Sequence, residues 1–350
     1  MSHDLVIEPL GTRIVIKEGQ TILDAALRNG VWLPHVCGHG LCSNCKVEVI
    51  EGEVDHGASS PFALMDFERE AGKALACCAT ALSDVVIEAD VDVDPDARCL
   101  PVRDFTGTVS ALRDLTHDIK GVWIEVEGGA MDFQPGQYIN LTLPGVDGPR
   151  AYSLAQAPAD GRVELHIRRV PGGQASSHVH ERLRVGDRLT FTGPYGQFFV
   201  RKSQAKPLLF IAGGSGLSSP KSMVQDLLAG GCTQPIWLFH GVRTAADAYC
   251  GDLFRELSAA HANFAYVPAV SDPEAGDWDG ERGFIHEVVE RRFDGKFAGL
   301  SAYLCGPPPM IEACIQTLMR GRLFERDIFT ERFLSKADAQ KAKSPLFRKL

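Results

Sequence analysis

The residues best suited to chemistry are the cysteines of one short loop. Cys37, Cys42 and Cys45 follow a C-x4-C-x2-C spacing, and Cys77 lies further along the chain. Four thiolates at this spacing are typical of a plant-type [2Fe-2S] site, where one loop supplies three of the ligands. Two glycines within the loop allow backbone conformations that side chains disfavour, and free amides there can point at the sulfur atoms.

Other interpretations of these cysteines fit less well. A zinc ribbon usually has two C-x2-C knuckles, and this loop has one. A disulfide framework belongs to small secreted chains, whereas this chain has 350 residues. The fourth ligand is Cys77 or its neighbour Cys78. The stretch 74–88 resembles the C-terminal end of plant-type ferredoxins, and counting back from Ser83 places the ligand at Cys77.

Composition narrows the classes of function. The net charge of −9 argues against general nucleic-acid binding. No apolar run is long enough to span a membrane, and the start of the chain has no basic and apolar export signal, so we expect a cytoplasmic protein. Residues 1–100 carry 17 Asp and Glu against 7 Lys and Arg, a net −10. This acidity is either a solvated face or a means of steering a basic partner.

The pattern of elements predicts three domains and a tail. In residues 1–93 two strands, a helix capped by Thr21, the cysteine loop, a strand, a helix over residues 61–70 and a last strand indicate a small α+β ferredoxin of the β-grasp type. Residues 100–202 have short strands separated by Gly, Pro and Asp, which predicts an antiparallel β-barrel. Residues 205–334 alternate strands and helices, which predicts an α/β domain with a parallel sheet. Residues 335–350 form a polar, basic tail.

A short segment of the barrel combines an arginine, a tyrosine and a serine. Arg150, Tyr152 and Ser153 are a weak signal alone, but a barrel followed by a nucleotide-type domain favours a flavin site. There Arg150 can pair with a pyrophosphate, Tyr152 offers a flat face and Ser153 can hydrogen-bond flavin N5. The glycine loop at residues 171–176 either places amides on the pyrophosphate or is a plain hairpin turn.

Two segments of the α/β domain end buried strands. Gly213, Gly214, Ser215 and Gly216 open a helix without the full G-x-G-x-x-G fingerprint. Such a turn either binds phosphate at the helix N-terminus or lets the helix pack closely on the strand. The residues 305–307 lie at the carboxyl edge of the sheet, where ligands of α/β domains bind, although Cys305 could be a core thiol.

Segments 150–153, 213–217 and 305–307 resemble the ferredoxin–NADP reductase superfamily. With a ferredoxin domain in front, nearly the whole chain resembles the reductase components of bacterial multicomponent oxygenases, and segments 212–220, 266–271, 283–286 and 344–347 are most similar to phenol hydroxylase reductases. The resemblance implies FAD, one [2Fe-2S] cluster and NADH. NADPH is the less favoured donor, although Arg243 after the second nucleotide strand could meet a 2′-phosphate.

The resemblance also implies roles for individual residues. Hydride transfer is assigned to Ser153, Cys305 and Glu331. The cofactor contacts are Arg150, Tyr152, Ser153, Leu154, His166, Ile167, Gly172, Gly173, Ser176, Gly213, Gly214, Ser215, Gly216, Cys305, Gly306, Pro307 and Phe333. His166 is expected to meet the flavin through its backbone. Ser219, before Pro220, departs from relatives that place proline sooner.

These residues predict an NADH-dependent reductase. Electrons are expected to pass from NADH through FAD and the cluster to a separate oxygenase, by resemblance a diiron hydroxylase. A reductase for a ring-hydroxylating dioxygenase or for sugar deoxygenation stays open. An alternative of another class is a non-enzymatic iron–sulfur or zinc sensor, but the presence of Arg150 and of the glycine turn at residues 213–216 argues against it.

Overall fold

The computed structural model describes residues 2–35, 38–91, 94–158, 161–272 and 277–333. The predicted ligand Cys37 and the predicted tail lie outside these ranges. The chain divides between residues 103 and 104 into two compact units. No helix in the described ranges is both long and apolar enough to cross a lipid bilayer.

The first unit is a mixed five-stranded sheet with a helix. Strand β1 pairs in parallel with β7 and antiparallel with β2, in the sheet order β2-β1-β7-β3-β5. The predicted cap is confirmed, because the Thr21 hydroxyl accepts a hydrogen bond from the Asp24 amide at 3.2 Å. The elements are β1 Ser2–Glu8, β2 Thr12–Lys17, α1 Ile22–Arg28, β3 Lys46–Glu51, β4 Val54–Asp55, α2 Asp66–Glu70, β5 Lys73–Leu75, β6 Thr80–Ala81 and β7 Val85–Glu88.

The helix predicted over residues 61–70 is shorter than expected. Only Asp66–Glu70 is helical, so the prediction is wrong for residues 61–65. The carboxylate of Glu68 accepts a hydrogen bond from the Met65 amide at 3.0 Å, which marks the start of the helix. The preceding turns pack against the cysteine loop instead, because the Ser60 amide donates to the Gly40 carbonyl at 3.0 Å.

The second unit begins with an antiparallel sheet that nearly closes into a barrel. Its strand order is β11-β10-β13-β8-β9-β12, and a bridge between Leu154 and Leu165 brings its two edge strands together. The core between the strands is apolar and includes Phe133, Ile139 and Phe191. The elements are β8 Arg103–Asp114, β9 Ile119–Val126, β10 Tyr138–Thr142, β11 Arg150–Ser153, β12 Arg162–Arg168, α3 Gln174–Glu181 and β13 Arg188–Tyr195.

Helix α3 corrects the expectation that this region is all β. Its sequence, QASSHVHE, has no strong apolar periodicity, so it gave little helical signal. Ala175 and Val179 are buried against the barrel core and hold the helix in place. The glycine loop is therefore the entry to a helix, and the alternative of a plain hairpin turn is wrong.

The remaining elements form a parallel six-stranded sheet in the order β17-β16-β15-β14-β18-β19. Strand β14 is central and buried along its whole length, as its continuous apolar sequence predicts. Helix α7 begins where the sequence predicted only a rigid loop. The elements are β14 Leu208–Gly213, α4 Ser218–Ala229, β15 Ile236–Val242, α5 Gly251–Ala260, β16 Phe264–Val270, β17 Glu281–Arg282, α6 Ile285–Arg292, β18 Ser301–Gly306, α7 Pro308–Arg320 and β19 Ile328–Arg332.

Candidate active site

The cysteine loop of the first unit packs directly on the segment that carries Cys77 and Cys78. Gly38 and Gly40 have φ values of +72° and +75°, in the left-handed region that favours glycine. A Cβ on Gly40 would lie 2.7 Å from the Cys78 sulfur, so no larger residue fits there. The Gly40 amide donates a hydrogen bond to Cys77 Sγ at 3.2 Å, which is the contact a thiolate ligand would receive.

Three of the described cysteines of this region, Cys45, Cys77 and Cys78, lie close together. Cys42 is half-buried, and Cys45 and Cys77 are buried. A hydrogen bond with Cys77, together with burial, raises the pKa of the Cys45 thiol, so these two sulfurs are neighbours. The Cys78 sulfur lies 3.7 Å from that of Cys77. Thiols brought together beside a backbone amide fit an iron–sulfur cluster.

Arg150 and Tyr152, which are predicted flavin residues of the barrel, lie on β11. Arg150 is half-buried, and its Nη1 donates to the carbonyls of Asp147, Gly148 and Pro149 at 2.9, 3.1 and 2.9 Å. These bonds hold the guanidinium at the start of β11. Burial raises the pKa of Tyr152, two residues on, to about 12, so this phenol stays neutral.

The glycine loop is a turn that leads into α3. Gly172 has a φ of +71°, and Gly173 is the N-cap of α3. The Ser176 hydroxyl accepts a hydrogen bond from the Val170 amide at 3.0 Å, so it closes the loop on itself. A Cβ on Gly173 would lie 2.7 Å from that hydroxyl. The loop therefore fits the amide cradle that the sequence predicts, with Ser176 as its internal brace.

The other predicted flavin contacts differ in what their side chains do. Leu154 and Ile167 are buried in the barrel core. The Ile167 carbonyl is hydrogen-bonded to His180 Nε2 at 2.9 Å. The side chain of His166 is buried and bonds to Glu164 and Tyr249 at 2.9 and 3.2 Å, a role that the expectation of a backbone contact did not include.

The glycine turn of the parallel sheet packs on the end of β18. Gly214 has a φ of +53°, and a Cβ on Gly216 would lie 2.3 Å from the Cys305 carbonyl oxygen. A Cβ on Gly213 would lie 2.9 Å from the Pro307 ring. Close packing therefore requires glycine at positions 213 and 216, and the same turn leads directly into α4, where a dinucleotide phosphate would bind.

The three residues assigned to hydride transfer meet at one oxygen atom. Strands β18 and β19 are parallel neighbours that place Cys305 opposite Glu331. Ser153, at the end of β11 in the barrel, donates its hydroxyl to Glu331 Oε2 at 3.2 Å. The thiol of Cys305 donates to the same oxygen at 3.3 Å. The fold thus joins a strand of the barrel to two strands of the parallel sheet at a single carboxylate.

The surroundings of the Glu331 carboxyl group favour its neutral form. Burial raises the pKa of Glu331, and the hydrogen bonds it accepts oppose that effect only in part. Burial and the nearby charge of Glu331 raise the pKa of Cys305. Tyr138, which pairs with Ser153 across the β10–β11 ladder, has a pKa raised by burial and then by Glu331.

Sequence reasoning missed two residues of this group. Ser219 donates to Glu331 Oε2 at 2.5 Å, whereas the sequence distinguishes it only by its place before Pro220. Tyr138 lies on a strand that was predicted, and its stacking on Tyr195, with ring centroids 5.6 Å apart, is a tertiary contact. The alternating pattern of β10 signals which face of the strand is buried but not what that face meets.

Comparison with known proteins decides the family. Models described as a 2Fe-2S iron-sulfur cluster binding domain, an oxidoreductase FAD-binding domain and an oxidoreductase NAD-binding domain match residues 5–82, 106–200 and 210–316. The chain is 58% identical over 357 residues to the phenol 2-monooxygenase reductase component DmpP of Pseudomonas sp. strain CF600, covering 100% of both chains. It is 53% identical over 352 residues to the phenol hydroxylase P5 protein of Acinetobacter pittii strain PHEA-2, covering 99% of both.

The chain belongs to the oxygenase reductase family. The crystal structure of the Amycolatopsis cytochrome P450 reductase GcoB matches with a TM-score of 0.85 and 36% identity, over 95% of this chain and 98% of that one. The ferredoxin reductase in carbazole 1,9a-dioxygenase matches with a TM-score of 0.76 and 32% identity, over 95% and 99%. This reductase is an NAD(P)H-dependent oxidoreductase that carries electrons from NADH through FAD and a [2Fe-2S] cluster to a monooxygenase.

The reductase has a second buried glutamate between barrel and parallel sheet. Glu164, on β12, accepts hydrogen bonds from Lys221 Nζ and His166 Nε2, each at 2.9 Å. Although burial opposes ionisation, the hydrogen bond from His166 and the charge of Lys221 lower the pKa of Glu164 to about 2. Burial lowers the pKa of His166. The ring is therefore neutral, with Nε2 donating to Glu164 and Nδ1 accepting from the Tyr249 hydroxyl.

Helix α4 fixes the parallel sheet of the second unit to the barrel of the same unit. Besides Glu164, Lys221 Nζ donates to the Ala155 carbonyl at 3.0 Å. Ser222 donates its hydroxyl to the Gln156 carbonyl at 2.6 Å. Both carbonyls belong to the segment that directly follows Ser153, so α4 holds the end of β11 from the parallel-sheet side.

Proposed function

We propose that this reductase is the electron-transfer component of a phenol monooxygenase and that its acceptor is a diiron oxygenase component. The observation that carries the proposal is the full-length similarity, at 58% and 53% identity, to two proteins named for phenol hydroxylation. The geometry adds that Ser153 and Cys305, from two other strands, converge on Glu331 beside the glycine turn at residues 213–216. An electron-transfer reductase needs such a meeting point of flavin and nicotinamide sites.

The proposed division of labour follows the predicted domains. Residues 1–93 would be a plant-type ferredoxin with β-grasp topology, residues 100–202 the FAD-binding barrel and residues 205–334 the NADH-binding domain. The family models match within these ranges, at residues 5–82, 106–200 and 210–316. The tail at residues 335–350 has no assigned role.

In the first unit we assign the cluster ligands to Cys37, Cys42, Cys45 and Cys77. The assignment of Cys77 in place of Cys78 is supported by the amide of Gly40, which points at the Cys77 sulfur. Cys77→Ser is expected to abolish the visible absorption and the electron paramagnetic resonance signal of the reduced cluster. Cys78→Ser is the matched control and should keep both, so loss of the cluster in Cys78→Ser alone would reverse the assignment.

In the second unit the chain would hold FAD and NADH around Glu331. Bound FAD supplies chemistry that accepts two electrons as hydride and releases them singly, which a nicotinamide does not do. Arg150 and the amides of the loop with Gly172 and Gly173 would hold the pyrophosphate of FAD. The Ser153 hydroxyl would face flavin N5, and Cys305 at the end of β18 would face the nicotinamide.

The assignment of Ser153 is tested by anaerobic stopped-flow reduction with NADH. Ser153→Ala removes a hydrogen-bond donor from the reacting atoms and is expected to slow flavin reduction about 100-fold. The cluster spectrum should be unchanged. Ser110→Ala is the control. The hydroxyl of this half-buried serine on β8 donates to the Trp123 carbonyl and is not one of the donors to Glu331. Equal rates in the two variants would overturn the assignment.

The acceptor is tested separately by reconstituted turnover. The purified reductase is combined with a phenol monooxygenase oxygenase component or with a ring-hydroxylating dioxygenase, and product is measured per NADH consumed. We expect coupled product only with the phenol monooxygenase. Coupling only with the dioxygenase would keep the reductase activity but reject the proposed partner.

A further inference from the structure

Ser219 lies between the glycine turn at residues 213–216 and Glu331. It is the second residue of α4 and is fully buried. Its hydroxyl donates to Glu331 Oε2 at 2.5 Å, which is the shortest of the three hydrogen bonds to that oxygen. Because this bond is shorter than those from Ser153 and Cys305, Ser219 is the principal hydrogen-bond partner of Glu331.

The helix that carries Ser219 cannot easily move away. Lys221 and Ser222, within the next turn, bond to carbonyls of the barrel at 3.0 and 2.6 Å. Ser218, on the other side, donates its hydroxyl to the Ser215 carbonyl at 3.0 Å. The first turn of α4 is therefore held by residues on both sides of Ser219, and this fixes the position from which its hydroxyl contacts Glu331.

The three donors to Glu331 are not equivalent in the proposed function. The assignments above direct Ser153 toward flavin N5 and Cys305 toward the nicotinamide, so both can exchange Glu331 for a cofactor. No cofactor contact is assigned to Ser219. It is the one donor of the three that can keep its bond to Glu331 throughout the reaction.

We infer that Ser219 is a positioning residue, whose hydroxyl holds the Glu331 carboxylate in place between Ser153 and Cys305 for hydride transfer. The inference rests on the proposed role of Glu331. It assigns a task to the serine at which this sequence departs from relatives that place proline sooner, because proline has no hydroxyl to offer.

The hydrogen bond should also favour the ionised carboxylate. Burial raises the pKa of Glu331, and the bond from Ser219 is the largest of the effects that lower it. The titratable groups that face Glu331 from the neighbouring elements are Cys305 on β18 and Tyr138 on β10. Their pKa values are both raised, chiefly by burial, so both groups favour their neutral forms beside Glu331.

The first test follows the Glu331 carboxyl directly. Holoenzyme labelled with [5-13C]glutamate is titrated by 13C NMR, and the Glu331 signal is identified by its loss in Glu331→Gln. Ser219→Ala is expected to move the titration midpoint upward. Ser222→Ala is the matched control, because Ser222 is equally buried on the same helix but donates to the Gln156 carbonyl. An unchanged midpoint in Ser219→Ala, or an equal shift in Ser222→Ala, would overturn the inference.

The second test asks whether Ser219 acts through Glu331. In stopped-flow reduction by NADH, Ser219→Ala is expected to slow flavin reduction about tenfold, since a small misplacement of a catalytic group is costly. In the Glu331→Gln background the same change should have no further effect. A tenfold loss in both backgrounds would overturn the inference. If Glu331→Gln leaves the rate unchanged while Ser219→Ala still moves the midpoint, the proposed function of Glu331 fails and the contact from Ser219 stands.

Discussion

Two glutamates lie between the barrel and the parallel sheet of the second unit, and their surroundings are opposite. Glu164 meets a lysine and a histidine, and its pKa is lowered to about 2. Glu331 meets two hydroxyls and a thiol, and burial raises its pKa. Among the described residues it has no cationic partner. Burial alone therefore does not decide whether a carboxyl group is ionised, because the charge of its hydrogen-bond partners also shifts its pKa.

The difference separates a structural carboxylate from one suited to chemistry. A buried glutamate paired with a lysine keeps its charge at all ordinary pH values and costs much to disturb. A buried glutamate held by neutral donors can exchange partners or accept a proton at a small cost in free energy. Perturbed carboxylates of the second kind occur preferentially at functional sites.

The largest effect is expected from removing Lys221, the cation beside Glu164. Lys221→Met leaves Glu164 buried and charged without its lysine, so the free energy of unfolding should fall by about 3–5 kcal/mol. Thermal and denaturant unfolding of the holoenzyme measure this change. Because Glu164 has a lowered pKa, its stabilisation is present above its unfolded pKa of about 4.3. It should be lost as the pH falls towards 2.

An exposed lysine provides the control for this prediction. Lys202 bonds to Asp226 at 2.7 Å, but its side chain is 55% exposed. Lys202→Met should change the free energy of unfolding by less than about 1 kcal/mol. Similar losses in the two variants would mean that the network around Glu164 contributes no more than a surface ion pair.

A smaller effect of opposite sign is expected at Glu331. Because the pKa of Glu331 is raised, its contribution to stability is fully present below the unfolded pKa and is lost as the pH rises through the folded pKa. Glu331→Gln removes this cost of ionisation and should stabilise the protein by about 1 kcal/mol at pH 8. Unfolding measured at pH 8 and pH 4 tests the sign, and a gain that is larger at pH 4 would contradict it.

The smallest effect is expected from changing the weakest donor to Glu331. Cys305→Ser replaces a thiol with a hydroxyl, which is a stronger hydrogen-bond donor of similar size. The free energy of unfolding should change by less than about 1 kcal/mol, and the titration of Glu331 should move downward. Carboxyl 13C NMR provides the measurement, and an upward movement of the Glu331 titration would contradict the prediction.

Much of the fold could be predicted from local patterns. The parallel sheet of the α/β domain follows from the alternation of strands and helices, and the cap at Thr21 follows from its residue types. Helix α3 was missed because serine and histidine fill positions where apolar residues would signal a helix. The helix predicted over residues 61–70 failed because its first half packs on the cysteine loop, which is a tertiary contact.

The site was predictable only in part. Ser153, Cys305 and Glu331 were selected by resemblance to a family, and the structure brings them to one oxygen atom. Ser219 and Tyr138 could not be selected in this way. Their contacts join elements that are distant in sequence, and a serine at the start of a helix is usually interpreted as a cap. The lysine of the Glu164 network was likewise hidden within an ordinary helical pattern.

The hydrogen bonds between α4 and the barrel limit how domains of such reductases can be exchanged to make chimeras. A chimera that joins this barrel to the nucleotide domain of another reductase would keep every strand, yet lose Lys221 and Ser222 as partners for Ala155 and Gln156. The joint between the donor sequences should therefore not be placed at the boundary between barrel and sheet. A chimera should therefore take α4 and residues 153–166 from the same parent protein.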